Sequence, residues 1–297
     1  MTSAVDQLPD RPLQARVRQI PWLPLVWFAV LLTAAFFPIL RHLVEQWNVD
    51  EDVGHGYFVP LVAGFIAWQR RDQLLAMESK PAWWGLGVMA WAALQGWIGA
   101  LGAELFLQRT AFLIALVGLL LVAGGAQLVR ALAFPLLLLP FMIPLPAVLY
   151  NQITFPLQLF ASQVAEACLG LIGVPVLRDG NVLELASQKL SVVEACSGIR
   201  SLLSLSFLSL VYAYFFDQKV WMRWVLLIAT IPVAIIANSG RVTVTGILSE
   251  INTEWAQGFF HSLEGWIIFA IALVLLGSLH VSINRFAGRN TEEPPIA

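Results

Sequence analysis

The chain has 297 residues, of which 59% are hydrophobic and only 12% are charged. Because soluble domains carry about 25% charged residues, this composition excludes an ordinary soluble domain and indicates a polytopic membrane protein. A formal net charge of −2 argues against a nucleic-acid-binding surface, and the presence of only two cysteines excludes a disulfide framework. We therefore expect the lipid bilayer, and no nucleic acid, as a partner of the chain.

Apolar segments along the chain predict eight membrane spans. They are 21–40, 57–68, 82–101, 106–122, 131–149, 201–216, 224–239 and 262–283. Arg11, Arg16 and Arg18 precede the first span, and cytoplasmic segments carry an excess of Lys and Arg. The first apolar run is too long for a signal-peptide core, so we expect it to be retained. The prediction is a cytoplasmic tail at 1–19, a membrane domain at 20–285 and a cytoplasmic tail at 286–297.

The segment 151–173 follows a proline-rich fifth span, whose four prolines predict kinks or a broken end. Thr154, Gln158, Ser162 and Glu166 recur at four-residue spacing and give one polar stripe on a helix. Such a helix can lie in the membrane interface, line a wet cavity, or be an ordinary span packed against polar neighbours. We favour an interfacial or re-entrant helix, because Glu166 would be costly in lipid.

Residues 174–194 are the one stretch that is typical of β-structure. Asp179-Gly180 is a hairpin turn signal, and a second turn near Ser187-Gln188 leads into a third short strand. Because open strand edges are not tolerated in lipid, the ribbon is expected outside the membrane. The predicted fold is an all-α polytopic membrane protein with about eight transmembrane helices, an interfacial helix and a small extracytoplasmic β ribbon before Cys196.

The stretch that follows the ribbon, 193–200, reads VEACSGIR and opens the sixth span. A helix N-terminus favours anions, and the thiolate of Cys196 would be an anion there. Ser197 and Gly198 suit a capping turn, and the free backbone N–H groups of a first turn can hold an oxyanion. A lone cysteine beside a membrane helix is more often a small packing residue, so this stretch does not establish catalysis by itself.

Eight spans bring three helix ends to the outer surface. These ends carry Cys196 with Arg200, Asn238 with Arg241, and His261 with Glu264. The last two pairs are three residues apart, so each pair can share one helix face. A thiol, an imidazole for proton transfer and fixed donors for a developing oxyanion are the parts that acyl transfer requires.

Each of these side chains also has a plain structural interpretation. His261 can be a satisfied interfacial histidine, Glu264 can charge a first helical turn, and Arg241 can anchor a helix end by reaching toward the headgroups. His42 and His55 are rival partners for the thiol, because the predicted topology brings them to the same face. The histidines lack close spacing and the cysteines are far apart in sequence, so no metal site is predicted.

Three motifs of this chain resemble those of the exosortases, membrane-embedded cysteine transpeptidases of the exosortase/archaeosortase superfamily. They are EACSGIR at 194–200, NSGR at 238–241 and FFHSLEG at 259–265. His55-Gly56 before the second span and the ribbon with Gly180 are also similar to features of that family. The likeness covers residues 20–285, and the three motifs stand in the family's order.

The resemblance implies a cysteine endopeptidase and transpeptidase that needs no cofactor. Cys196 would be the nucleophile, Arg241 the essential cation and His261 the acid/base. The residues implied for substrate binding or orientation are Arg200, Asn238, Glu194, Glu264 and His55. The implied substrates are exported membrane-anchored proteins with a C-terminal sorting signal: a Pro-Glu-Pro (PEP-CTERM) motif, a transmembrane helix and a basic cluster. An unknown acyl acceptor would receive the cut protein on the periplasmic face of a bacterial inner membrane.

Two other functions fit the composition. A polytopic transporter can use an outer cavity with Glu166 and Arg241 as substrate charges, although internal repeats typical of transporters are not evident. A non-catalytic scaffold of an export or exopolysaccharide system needs no thiol. Tolerance of Cys196→Ser would favour the scaffold, whereas selective labelling of Cys196 over Cys168 by a thiol reagent would favour the enzyme.

Overall fold

A computed structural model describes residues 19–192, 198–217, 219–252 and 259–289, with the backbone alone at 51–52, 198–201, 259–266, 268 and 287–289. Contacts divide the chain into two compact units. Unit 1 comprises Met1–Arg41 and Leu61–Pro140, and unit 2 comprises His42–Pro60 and Phe141–Ala297. Glu194 and Cys196 of the predicted cysteine motif lie outside the described residues.

The described chain is mostly helical, with one small sheet. The helices are α1 Trp22–Ala35, α2 Phe37–Val49, α3 Phe58–Gln69, α4 Arg71–Leu75, α5 Gly85–Leu101, α6 Leu105–Ala131, α7 Ala133–Leu138, α8 Ala147–Ile172, α9 Gly198–Phe216, α10 Val220–Ile251 and α11 Phe259–Arg289. Short 3₁₀ helices occupy Glu51–Tyr57 and Leu139–Met142. The strands are β1 Val176–Asp179, β2 Val182–Leu185 and β3 Lys189–Ser191, in the order β1-β2-β3 and antiparallel throughout.

Among the described residues, four helices are long and apolar enough to cross a bilayer: α6, α8, α10 and the Phe269–Phe286 part of α11. A fifth crossing results if α1 and α2, which meet at a bend of 70°, form one broken span. The prediction of eight spans is therefore not confirmed. The expected second span, α3, has only 12 residues, about 18 Å of helix against a hydrocarbon layer of about 30 Å. The helices nevertheless describe a multi-pass membrane protein.

The expected fifth span, 131–149, is a broken segment. Helix α7 gives way to the 3₁₀ helix at Leu139–Met142, and α8 begins only after Pro146. Prolines at 140, 144 and 146 remove backbone donors and cannot continue a regular helix. The predicted break is confirmed, and it leaves α7 too short to span the membrane.

Unit 1 is built on the hairpin of α5 and α6. Leu119 and Leu120 of α6 lie in a buried cluster with Ile20, Leu25 and other apolar side chains. The predicted span 106–122 lies within α6, which continues to Ala131 after a break at Gly125. Gly125 has φ of 76°, and a Cβ there would lie 1.9 Å from the carbonyl oxygen of Lys80, so only glycine fits this position.

In unit 2, the three strands form where the sequence predicts them, and the polar stripe of α8 docks the sheet. Ser162 Oγ donates to the carbonyl of Gly180 at 3.0 Å, and Asn181 Nδ2 donates to Gln158 Oε1 at 3.2 Å. Glu166 accepts a hydrogen bond of 2.8 Å from Arg178 Nε. Three residues of the stripe, Gln158, Ser162 and Glu166, therefore hold the β1–β2 hairpin.

This contact bears on the orientation of α8 in the membrane. The hairpin runs back along α8 from Glu166 to Gln158, so these residues lie at the level of the sheet. A sheet with open edges is not stable in hydrocarbon and is expected outside the bilayer. The C-terminal half of α8, which is hydrogen-bonded to the sheet, would then also lie outside the bilayer. The remaining residues, 147–157, would rise only about 16 Å. Because α8 is long enough to cross by length and composition, the interfacial or re-entrant arrangement stays a prediction, which holds if the sheet lies outside the bilayer.

The expected loop after Arg241 is in part helix, since α10 continues to Ile251. Val242, Thr243, Thr245, Gly246 and Ser249 of this extension are buried. Val242 joins a cluster with Leu169 of α8 and with leucines of the sheet. The expectation of a loop was wrong because the face that packs beneath the sheet consists of small and hydroxyl-bearing side chains, which do not form an apolar run.

A buried polar network connects the C-terminal ends of α9 and α11. The hydroxyl of Tyr212 is 3.0 Å from His280 Nδ1, and His280 Nε2 is 3.0 Å from Asp217 Oδ2. Asn284 Nδ2 also donates to Asp217 Oδ2, at 3.0 Å. Burial alone would raise the pKa of Asp217, but the hydrogen bonds from Asn284, from the backbone of Lys219 and from His280 lower that pKa to about 2.

Because the folded-state pKa of Asp217 lies below its ordinary value of 3.8, the carboxylate stabilises the fold at pH above about 4 and loses this contribution as pH falls toward 2. We expect Asp217→Asn to lower the free energy of unfolding by about 2 kcal/mol at pH 7. The deficit should be about half as large at pH 3. Unfolding of purified protein in detergent at both pH values checks this, and a deficit equal at both would contradict it.

Candidate active site

Helices α9 and α10 form an antiparallel hairpin that fixes the height of the predicted site residues. Ser206 of α9 and Thr230 of α10 are buried and their hydroxyl oxygens are 3.1 Å apart. At about 1.5 Å per residue, Gly198 and Asn238 each lie about 12 Å from this contact in the same direction. Arg241 lies about 16 Å from it, just beyond the first residue of α9. The backbone of the NSGR motif is thus level with the start of α9.

Helix α11 runs parallel to α9, and its beginning reaches the same level. Leu202 of α9 and Phe269 of α11 pack against one apolar cluster, and Tyr212 contacts His280 further along. Counted from Tyr212 at about 1.5 Å per residue, His261 lies about 7 Å beyond Gly198 in height. The height of Arg241 falls between those of Gly198 and His261.

The end of strand β3 also lies close to the Arg241 region of α10. Val192, the residue after β3, is fully buried in the same cluster as Val242, the neighbour of Arg241 in sequence. Asn238 is buried and Arg241 is partly buried. The chain therefore leaves the sheet next to the Arg241 region of α10 and re-enters the described structure at Gly198, two residues after Cys196.

The side chains of the remaining predicted site residues are outside the description. Arg200 lies in the first turn of α9, and His261 and Glu264 lie in the first two turns of α11, all with the backbone described. Glu194 and Cys196 fall between Val192 and Gly198. The roles assigned to these five residues therefore stay predictions.

His55 is a predicted site residue for which both ring nitrogens have described contacts. Its Nε2 lies 3.1 Å from the carbonyl oxygen of Phe141, and its Nδ1 lies 3.2 Å from Ser204 Oγ on α9. A carbonyl only accepts, so Nε2 carries the proton and Nδ1 accepts from Ser204. Because both ring nitrogens are engaged, this geometry suits a positioning residue better than a proton-transfer residue.

Sequence reasoning missed the partners of His55. Ser204 is four residues after Arg200, so both lie on one face of α9, and His55 contacts that face one turn from Arg200. The four-residue spacing was visible in the sequence, but nothing local indicated that the 3₁₀ helix at Glu51–Tyr57 packs against α9. His42, the other rival histidine, lies on α2.

Gly56 is required by the packing of the neighbouring indole. A Cβ at Gly56 would lie 2.3 Å from Trp47 Nε1, which donates to the carbonyl of Met142 at 2.9 Å. Gly56→Ala must displace Trp47 and lose that buried hydrogen bond, so we expect a loss of about 1–3 kcal/mol in the free energy of unfolding. Gly54→Ala in the same 3₁₀ helix is the matched control, because its Cβ would make an ordinary contact of 3.9 Å. Equal thermal stability of the two variants would contradict this account.

Comparison with known proteins finds one family whose model spans these residues. The model of the transmembrane exosortase family (Exosortase_EpsH) matches residues 47–278. This range covers most of the chain and contains all eight predicted site residues, from His55 to Glu264. No curated protein and no solved structure matches the chain. The family match agrees with the multi-pass helical fold and with the resemblance carried by the three motifs. The chain belongs to the transmembrane exosortase family.

Proposed function

We propose that the chain is a membrane cysteine endopeptidase and transpeptidase. It would cut a C-terminal sorting signal of the Pro-Glu-Pro type from exported proteins and transfer the new carboxyl end to an acceptor. The proposal is carried by the heights of Gly198, Arg241 and His261, which lie within about 7 Å of one another at one end of the α9–α11 bundle. This convergence supports a site made of the three motifs, because they are far apart in sequence.

The first half-reaction forms a thioester. The Cys196 thiolate attacks the scissile carbonyl carbon, and the carbonyl oxygen becomes an oxyanion. Arg241 and backbone N–H groups near Gly198 stabilise that oxyanion. As the C–N bond breaks, His261 gives a proton to the leaving amine. The product amine carries the membrane helix and basic tail of the signal, and the exported protein remains as an acyl group on sulfur.

The second half-reaction frees the enzyme. His261, now neutral, takes the proton of the acceptor nucleophile as it attacks the thioester carbonyl. The C–S bond breaks, and Cys196 returns as the thiolate. Arg200 and Asn238 orient the reacting groups, and Arg200 is suited to bind the glutamate of the signal. Glu264 sets the tautomer of His261, and Glu194, two residues before the nucleophile in sequence, helps to bind or orient the substrate. His55 holds the start of α9 through Ser204.

We assign the reaction to the periplasmic face of a bacterial inner membrane. The substrate's helix would enter the bilayer beside the enzyme, which brings its motif to the height of Cys196. The ion pair of Glu166 with Arg178 weighs against the transporter alternative, since that alternative used Glu166 as a substrate charge.

A reporter protein tests the proposal. It carries a C-terminal Pro-Glu-Pro motif, a membrane helix and a basic tail, and it is expressed with the wild-type chain in a bacterial host. We expect a shortened reporter on a gel, and we expect its shortening to require Cys196 and Arg241. A reporter that stays full length with well-folded enzyme, across signals that vary around the motif, would reject the proposed function.

A further inference from the structure

Within the part of the chain that the structure describes, strand β3 has a free edge. In the β2–β3 ladder, Val192 N–H donates to the carbonyl of Asn181 and Leu185 N–H donates to that of Gln188, both at 2.9 Å. Hydrogen-bonded pairs alternate in an antiparallel ladder, so Leu190 bonds toward β2 and its neighbours Lys189 and Ser191 point their backbone groups away.

Among the described residues, no group hydrogen-bonds to the outward N–H or C=O of Lys189 or Ser191. The side chain of Lys189 is 73% exposed, and Ser191 is partly exposed. Two residues at this spacing offer two donors and two acceptors in one row, which is the pattern that an added strand requires.

The opposite edge of the sheet differs. Strand β1 carries its outward groups at Val176 and Arg178, and the side chain of Arg178 is held by Glu166 of α8. The segment before β1 connects it to α8 through Gly173. Only the β3 edge continues along the chain toward Cys196, with Ser191 five residues before it. In extended chain this separation is at most about 17 Å.

We propose that the free edge of β3 binds the sorting signal as an added strand, with the extended motif of the exported protein paired to Lys189 and Ser191. This inference rests on the proposed function, because it names how that substrate is held. Because Ser191 is only five residues before Cys196 in sequence, a signal held at this edge would present a peptide bond near the motif to the thiol.

A Pro-Glu-Pro sequence has the chemistry that a single edge accepts. In an extended peptide, alternate residues face the edge, so the glutamate N–H and C=O can pair with β3 while both prolines point their nitrogens away. The absent N–H groups of the prolines then cost nothing, and their fixed φ reduces the entropy lost on binding. The missing donors also prevent a further strand from adding to the outer side of the signal.

Proline substitutions on the two edges test the pairing. Ser191→Pro removes one outward donor and leaves the Leu190 bonds to β2 in place, so the strand should still form. The matched control is Val176→Pro, at an outward position of the opposite edge. We expect Ser191→Pro to lower reporter cleavage by about 10-fold or more, normalised to enzyme amount, and Val176→Pro to cleave at the wild-type rate. Equal cleavage by all three proteins would overturn the proposal.

A cross-link tests the same contact without catalysis. Ser191→Cys is made in a chain that also carries Cys196→Ala and Cys168→Ala, and the reporter carries cysteine at the centre of its motif. We expect a disulfide-linked enzyme–reporter band under mild oxidation. Leu177→Cys, at an exposed site on β1, should give none. Absence of the band with Ser191→Cys, or equal bands at both sites, would reject binding of the signal at the β3 edge even if the wild-type protein cuts the reporter. Failure of wild type to cut would instead reject the proposed function.

Discussion

Cys196→Ala abolishes shortening of the reporter and leaves the protein at wild-type abundance in the membrane. A nucleophile that forms a covalent intermediate cannot be replaced by a methyl group, and such losses amount to about 10⁴-fold or more in rate. The fold should tolerate the change, because it removes one small side chain next to α9. The measurement is the ratio of cut to uncut reporter on a gel, followed over time after induction.

The second cysteine of the chain supplies the control. Cys168 is a free thiol on α8, partly exposed, and it has no assigned role. Cys168→Ala should cut the reporter at the wild-type rate. If Cys196→Ala cuts as well as Cys168→Ala does, the thioester mechanism is excluded and the scaffold alternative gains the support.

Arg241→Gln lowers reporter cleavage by about 10²–10³-fold, the usual effect of losing one donor to an oxyanion. Arg241→Lys should fall nearly as far, since an ammonium group cannot reproduce the planar, two-pronged donation of a guanidinium. Asn238, level with the start of α9, should be less sensitive, because it orients groups rather than meeting the developing charge. The initial rate of cleavage at saturating reporter expression is the quantity to compare.

Arg223 of the same helix is the matched site. It lies over the ring of Tyr214 at 5.0 Å from the ring centroid, about 27 Å along α10 from Arg241. Arg223→Gln removes the same charge from the same helix and should leave cleavage within about twofold of wild type. Equal losses at both positions would mean that cleavage responds to the stability of α10, and the role given to Arg241 would be wrong.

The sheet was predictable from sequence because its signals are local. Asp179-Gly180 sets the first turn, and Gly180 has φ of 62°, as a hairpin turn of this kind requires. Leu183, Leu185 and Leu190 alternate with polar residues, and all three are buried beneath the sheet. Hydrophobic period and turn chemistry were sufficient for the strands, whereas their position outside the membrane stays a prediction.

The ends and lengths of the membrane helices were less predictable, because tertiary packing decides them. Hydropathy ended the seventh span at Ser239, yet α10 continues to Ile251 since Gly246 and Ser249 allow close approach to α8 and the sheet. In the same way, the polar stripe from Thr154 to Glu166 indicated that α8 packs against a polar neighbour but did not identify that neighbour. The neighbour is the β1–β2 hairpin, which follows α8 in the chain.

The site itself was predictable only in part. Three motifs named Cys196, Arg241 and His261 as candidates, whereas the relative heights of Gly198, Arg241 and His261 follow from the hairpin of α9 and α10 and from the parallel course of α11. No local signal joined His55 to Ser204, which are 149 residues apart. Contacts of this separation depend on the fold as a whole, so sequence patterns within single helices do not reveal them.

The most direct test of the central claim is the mass of the cut reporter formed in the presence of hydroxylamine. A thioester on Cys196 is attacked by hydroxylamine, so the mechanism predicts a hydroxamate at the new carboxyl end of the reporter, in an amount that rises with hydroxylamine concentration. Cys196→Ala should yield neither cut reporter nor hydroxamate. A cut reporter that carries only a free carboxylate at every hydroxylamine concentration, and that also forms with Cys196→Ala, would contradict the account.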